Sequence, residues 1–203
     1  MRDALRRAAP VLPAAFAVGA SFGVLARTAP FGSVAAIVMS MTTFAGSAQI
    51  ATVSLLGTGS TLGAAIAAAV LLNSRYAPVG ISVSRTFRGS IPRRFVEAQL
   101  VVDESWALSG GRRGLLVGIG GLLWIVWVSG TAVGVALGSV IGDPSTYGID
   151  GAFAALFVML LATQIRSRRR TRVAAVGAAI AAVLVPFTPP GIPIVLATAA
   201  VLV

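Results

Sequence analysis

Gln49, Asn73, Arg75 and Asp103 are the residues through which this chain can do chemistry, because each is polar where the surrounding sequence is not. Ser47 and Gln49 interrupt one apolar run in Gly46-Ser47-Ala48-Gln49, and Asn73 and Arg75 lie near the centre of the next, in Asn73-Ser74-Arg75-Tyr76. An amide or charged side chain in hydrocarbon is costly unless it finds a partner or borders a wet cavity, so such positions are functional candidates. Arg75 is the costliest. From the interior of a run of about 24 residues it stands roughly 14 Å from the nearer end at 1.5 Å per residue, further than unaided snorkelling reaches. A carboxylate partner is therefore expected, and Asp103 is the candidate. The alternative to the pair is an Arg75 that snorkels and an Asp103 that reaches water at the edge of a surface helix.

The same composition removes several other chemistries. The 203 residues include no Cys, no His and no Lys. Disulfides, thiolate nucleophiles, Cys/His zinc sites and a Ser/His/Asp triad are thereby excluded, as is a Walker A loop, which needs a lysine at the phosphates. An intramembrane enzyme would have to rely on Asp, Ser or Arg, and no paired aspartates on facing spans are visible. The expectation is a chain that is not an enzyme, needs no cofactor or metal and binds no ATP itself, so that any energy coupling comes from an ion gradient or a separate subunit.

The elements that must position these residues are helices in a membrane. Hydrophobic residues make up 57% of the chain and charged residues 11%, with a mean hydropathy of +0.92. Apolar runs at about 10–26, 31–56, 61–84, 115–142, 152–165, 173–186 and 191–203 predict an all-α polytopic membrane bundle of about seven hydrophobic segments, some discontinuous or re-entrant. Residues 1–203 are read as one membrane domain, with the first run retained as a signal-anchor helix. The net charge of +10 comes from arginines clustered at the N-terminus, at 85–113 and at 166–172. Beside apolar runs such clusters face phospholipid rather than nucleic acid, and they predict a cytoplasmic N-terminus.

Three crossings before residue 85 would put six arginines on the outer face. One run should therefore fail to cross, and the small, polar break at 46–49 points to 31–56 as two half-helices meeting inside the protein. The alternative is a continuous kinked helix that violates the charge rule. Pro186, Pro189, Pro190 and Pro193 interrupt the end of the chain. Residues 93–108 read as one amphipathic helix, with Arg93, Arg94, Glu97 and Glu104 on a solvated stripe and Phe95, Gln99, Val102, Asp103 and Trp106 opposite. Gly130, Gly134, Gly138 and Gly142, with Gly19 and Gly23, form small-xxx-small rows that favour close internal helix packing.

Phe44-Ala45-Gly46-Ser47-Ala48-Gln49, Asn73-Ser74-Arg75-Tyr76 and Asp103-Glu104-Ser105-Trp106-Ala107-Leu108, in that order and after a proline-containing first run, resemble the AzlC family, the larger subunit of branched-chain amino acid exporters. The likeness covers residues 10–110. Further on it rests on hydrophobicity, Trp127-Val128-Ser129-Gly130-Thr131 and Pro189-Pro190-Gly191-Ile192-Pro193, and an aromatic is more usual than Ile50 after Gln49.

The resemblance implies export of leucine, isoleucine and valine, with methionine in some members, across the bacterial inner membrane. It also implies a small AzlD-type membrane partner and a gradient as the energy source. A zwitterion then needs a positive feature for its carboxylate, a negative one for its ammonium and apolar walls. Gly46, Ser47 and Gln49 become the candidate carboxylate clamp, because a broken helix exposes backbone N–H groups. Asn73 becomes a hydrogen-bonding contact, and Asp103 an ammonium contact or proton carrier. Each has a structural alternative: close packing for Gly46, backbone satisfaction at the kink for Gln49, helix bridging for Asn73. A competing function is a non-transporting assembly or anchor subunit, which has no need of so costly a polar cluster.

Overall fold

The computed structural model describes residues 1–57, 59–141, 158, 161–162, 165, 167–188, 192–197 and 199–200. Most of the apolar run at 152–165, together with Asp143, Asp150, Pro189, Pro190 and Gly142, lies outside them. Among the described residues the secondary structure is helical, with no strand. By length and composition Arg113–Gly138 is able to cross a membrane, as are two bent pairs if each counts as one span.

The first bent pair joins α1 (Arg2–Ala8) to α2 (Leu12–Thr28) at 66°. Pro10 and Pro13 supply no N–H to an α-helical ladder across this junction, which is where the chain bends. The second joins α5 (Leu62–Asn73) to α6 (Tyr76–Val83) at 41°. Its kink has a similar cause: Pro78 cannot donate to the Ser74 carbonyl four residues back, and its ring crowds that oxygen. Arg75 sits at this kink, so the run that reads as continuous in sequence is broken at the residue with most need of a partner.

α9 (Arg113–Ile141) is the long central helix, and α2 packs along it in the same direction. Glycine makes that packing possible. A Cβ on Gly134 would stand 2.0 Å from the Ala20 carbonyl oxygen, and one on Gly130 would stand 2.5 Å from that of Phe16. Gly138 meets Val24 and Arg27, while Gly19 and Gly23 face Trp127 and Thr131 from the other side. Numbers rise together along both helices, so the two run parallel.

The run 31–56 is broken into two helices. α3 (Ser33–Thr42) and α4 (Gly46–Gly57) are separated by a turn in which Phe44 has φ of +44°, a conformation a bulky residue seldom adopts. The chain turns back there. Gly57, at the end of α4, faces Ala29, just before α3 begins, with 3.7 Å between Ala29 Cβ and the position of a Cβ on the glycine. This first hairpin therefore enters and leaves at one end of the bundle, near Gly138 and the Arg27 guanidinium that donates to the Val135 carbonyl.

A second hairpin enters from the opposite end. α7 (Ile91–Gln99) and α8 (Asp103–Ser109) are two short helices with a break at Leu100–Val102, where the sequence reads as one amphipathic helix. At its base Glu97 binds Arg113, and at its return the Arg7 guanidinium donates to the Leu108 carbonyl. At its tip the Leu100 carbonyl presses so close to Gly120 that a Cβ there would be 2.1 Å away. Buried Ser105 holds the break together, since its Oγ accepts from Val102 N–H at 2.9 Å and lies 2.9 Å from the Leu100 carbonyl. The wheel that placed Glu104 with the arginines is reset at this break, which turns Glu104 inward.

The remaining described helices are α10 (Arg168–Leu184), capped by Ser167 Oγ accepting from Arg170 N–H, and α11 (Ile192–Ala197), which packs on it and on α5. The fold is a set of crossing helices with two half-length hairpins entering from opposite ends. Measured along α9 at 1.5 Å per residue, both tips reach roughly 10–20 Å from Arg113, about halfway through the bundle.

Candidate functional site

The two tips meet. The C-terminal carbonyls of α3 lack helical partners and take side-chain donors instead: Met41 from Trp124 Nε1 of α9 at 3.0 Å, and Thr42 from Gln99 Nε2 at the end of α7. Between the tips lies a narrow cavity of about 30 Å³, room for little more than a water molecule, partly open to the outside. The first hairpin contributes Phe44, Gly46 and Ser47, and the second contributes Val102, Asp103 and Glu104. Arg75 and Tyr76 enter from the kinked span, and Ala15, Val18, Leu123 and Trp127 form an apolar wall.

Arg75 ties these parts to one another. Its Nη2 lies 3.0 Å from Asp103 Oδ2 and donates to Ser47 Oγ at 2.9 Å, so one nitrogen reaches both hairpins. The guanidinium carbon also stands 5.2 Å from the centre of the Tyr76 ring, within cation–π range. The side chains of Arg75 and Asp103 are 18% and 21% exposed, which places the pair inside the cavity wall and not at a fully solvated surface. Glu104 borders the same space, yet no arginine forms an ion pair with it among the described residues.

Behind Gly46 is a second polar cluster that makes no use of charge. Gln49 is fully buried; its Oε1 accepts from Ala45 N–H at 3.1 Å and its Nε2 donates to Ser40 Oγ at 2.9 Å. Trp127 Nε1 also donates to Ser40, at 3.2 Å. Thr131 uses its own proton on the Trp127 carbonyl at 3.0 Å, so in the 2.8 Å contact between the two hydroxyls Ser40 is the donor. The network fixes the start of α4 against α9. It also sets Gly46 under the Trp127 indole, where a Cβ would lie 2.7 Å from a ring carbon.

Of the residues singled out from sequence, Gly46, Ser47, Arg75 and Asp103 converge on the cavity. Gln49 stands one layer behind it, with its amide engaged by Ala45 and Ser40. Asn73 is the last residue of α5, at the kink, does not line the cavity, and has a buried Oδ1 with no hydrogen-bond partner among the described residues. Gly130, Gly134 and Gly138 sit in the α2–α9 contact. Sequence reasoning missed Ser40, gave Thr131 no role and set Glu104 in water. The first two are hydroxyls inside apolar helices, a signal that was present but weak, since a hydroxyl can also bond its own helix backbone. Glu97 is covered by the Arg93 and Arg113 guanidinium groups at 3.0 and 2.5 Å and not left on a solvated stripe. The hydrogen bond from Arg113, seconded by that from Arg93, holds its carboxyl below the ordinary glutamate range.

The two half-length hairpins, the kinked span between them and the helix pair that brackets them all fall within residues 10–141, and the AzlC protein family matches that same stretch. The chain belongs to the AzlC family. An uncharacterized membrane protein of Archaeoglobus fulgidus is 32% identical over 177 residues, which is 85% of this chain and 78% of the relative. The branched-chain amino acid transport protein AzlC of Bacillus subtilis is 26% identical over 172 residues, 80% of this chain and 67% of that protein. No solved structure matches the chain. For this AzlC-family chain the cavity between the hairpin tips is the candidate site, bounded by an ion pair, a carboxylate with no ion-pair partner among the described residues, a helix start and apolar walls.

Proposed function

We propose that this chain is the larger subunit of a secondary exporter that moves leucine, isoleucine and valine, with methionine as a further substrate, out across the cell membrane. It works with a small AzlD-type membrane subunit, draws on the proton gradient, and has its N-terminus in the cytoplasm, on the side of the arginine-rich end of the bundle. The substrate class follows the name of the Bacillus subtilis relative, a branched-chain amino acid transport protein. The observation that carries the reading is that Arg75 joins both hairpin tips across one cavity, at 3.0 Å from Asp103 and 2.9 Å from Ser47. Costly charges at mid-bundle suit a zwitterion that exchanges its own charges with theirs.

In this scheme the substrate carboxylate faces Arg75 and the N–H groups at Gly46 and Ser47, while its ammonium faces the carboxylates at the start of α8. Phe44, Val18, Leu123 and Trp127 meet the branched side chain. Gln49 acts through the position of Gly46 and Asn73 through the kink. The cavity is too narrow as it stands to hold an amino acid, so loading requires the tips to part. Because Arg75 is bonded to both, parting and substrate binding draw on the same contacts.

The test is efflux. Cells lacking this chain and its small partner are expected to retain leucine or valine when fed dipeptides, and the wild-type pair restores release. The double variant Ser47→Ala/Arg75→Gln is expected to assemble with the partner and release nothing. Release at the wild-type rate would overturn the exporter reading in favour of an assembly or anchor role.

A further inference from the structure

Among the described residues the fixed charges around the cavity do not balance. Arg75 brings one positive charge; Asp103 and Glu104 bring two negative ones. Tyr76 is the other titratable group facing the space, and α2, α4 and α9 border it with Ala15, Val18, Ser47, Leu123 and Trp127, which carry no charge. Asp103 is engaged by Arg75 at 3.0 Å, whereas among the described residues no cation is in ion-pair contact with Glu104. A carboxylate in a low-dielectric pocket is stabilised by a cation or by a proton. The surplus negative charge therefore sits on Glu104, and one entering cation is what the pocket lacks.

We propose that the coupling proton and the substrate ammonium compete for the carboxylate of Glu104, while Asp103 stays bound to Arg75. This inference rests on the exporter reading and names the group that couples the two flows. When the site faces the cytoplasm the Glu104 O–H bond breaks and the proton leaves to water. The carboxylate then accepts a hydrogen bond from the substrate ammonium, which keeps all its protons. When the site faces outward a proton from that side forms the O–H bond again, and the ammonium is displaced with its charge unchanged. Because proton and ammonium hold the carboxylate in turn, one substrate leaves for one proton entering.

Leucine binding to the purified complex of this chain with its small partner, followed by calorimetry across acidic to alkaline buffers, tests this. In the wild type the affinity is expected to weaken about tenfold per pH unit once the buffer is acidic enough to protonate Glu104. Glu104→Gln is expected to bind more weakly at alkaline pH and to lose the slope, and Glu104→Asp to keep a slope. A slope that survives in Glu104→Gln overturns the assignment while leaving the exporter reading in place. If the wild-type complex binds no leucine at any pH, the exporter reading falls and the assignment with it. Monodisperse elution of each variant with its partner separates these outcomes from misfolding.

Discussion

The first hairpin, α3–α4, and the second, α7–α8, reach the middle of the bundle from opposite ends and meet at one cavity, yet they satisfy their polar groups in different ways. Buried Ser40 and Gln49 of the first, with Thr131 and Trp127 of α9, form a closed set of neutral hydrogen bonds in which donors are matched to acceptors. The second brings Asp103 and Glu104 into the cavity, one of them paired and one not. A buried neutral network that is fully satisfied fixes geometry, and a buried charge without a partner asks for a ligand. The difference assigns the first hairpin to shape and the second to charge exchange, with Arg75 as the tie between them.

Substitutions in the two hairpins should therefore fail differently. The largest effect is expected from Arg75→Ala, which removes the tie to both tips and leaves Asp103 unpaired. Its cost should be about 2–3 kcal/mol, below the roughly 3–5 kcal/mol of a fully buried pair because both side chains keep some exposure. Thermal unfolding in detergent followed by tryptophan fluorescence measures it. The exchanged pair Arg75→Asp/Asp103→Arg should recover part of the loss, and an exchange no better than either single change would mean the two charges are not coupled.

Next comes Gln49→Leu, which strands the Ala45 N–H and deprives Ser40 of a donor, at about 1–3 kcal/mol. Its melting temperature should fall while that of Glu104→Gln stays near wild type. Equal losses in the two variants would erase the distinction between the hairpins. Gly46→Ala is expected to be milder in stability, since the Trp127 ring edge can shift to admit the methyl group. The shift should appear as a change in tryptophan emission together with weaker leucine binding.

The smallest effect belongs to Glu97→Gln at the outer base of the second hairpin. The Arg113 hydrogen bond lowers the Glu97 pKa, so its contribution is present above the ordinary value of 4.5 and is lost as pH falls through the lowered one. The variant should therefore lose part of the acid sensitivity of unfolding and transport normally at neutral pH, as melting curves and efflux at two pH values will show.

Much of this arrangement can be reached from residue types alone. The break in 31–56 follows from six arginines that cannot lie outside together with a small, polar Gly46-Ser47-Ala48-Gln49, and the chain does turn back there. The glycine rows of α9 announce a close neighbour, which is α2. The break at Leu100–Val102 is different, because nothing polar or helix-breaking marks it: Leu, Val and Val continue a helix in isolation. It exists because Gly120 admits the Leu100 carbonyl and Ser105 caps the new start, and both are contacts across the fold. Once that break is missed the helical wheel runs on unreset and assigns Glu104 to water. The same holds for Ser40 and Thr131, whose meeting depends on how α3 lies on α9.

The central claim is that a substrate passes between the two hairpin tips. The chain has no cysteine, so Ser47→Cys introduces a single thiol at the first tip, and Val34→Cys, on the exposed face of α3, serves as its control. Labelling of Ser47→Cys by a small thiol reagent in membranes should be slowed by leucine, and labelling of Val34→Cys should not. If leucine leaves both rates unchanged, or slows both alike, the cavity between the tips is not the path.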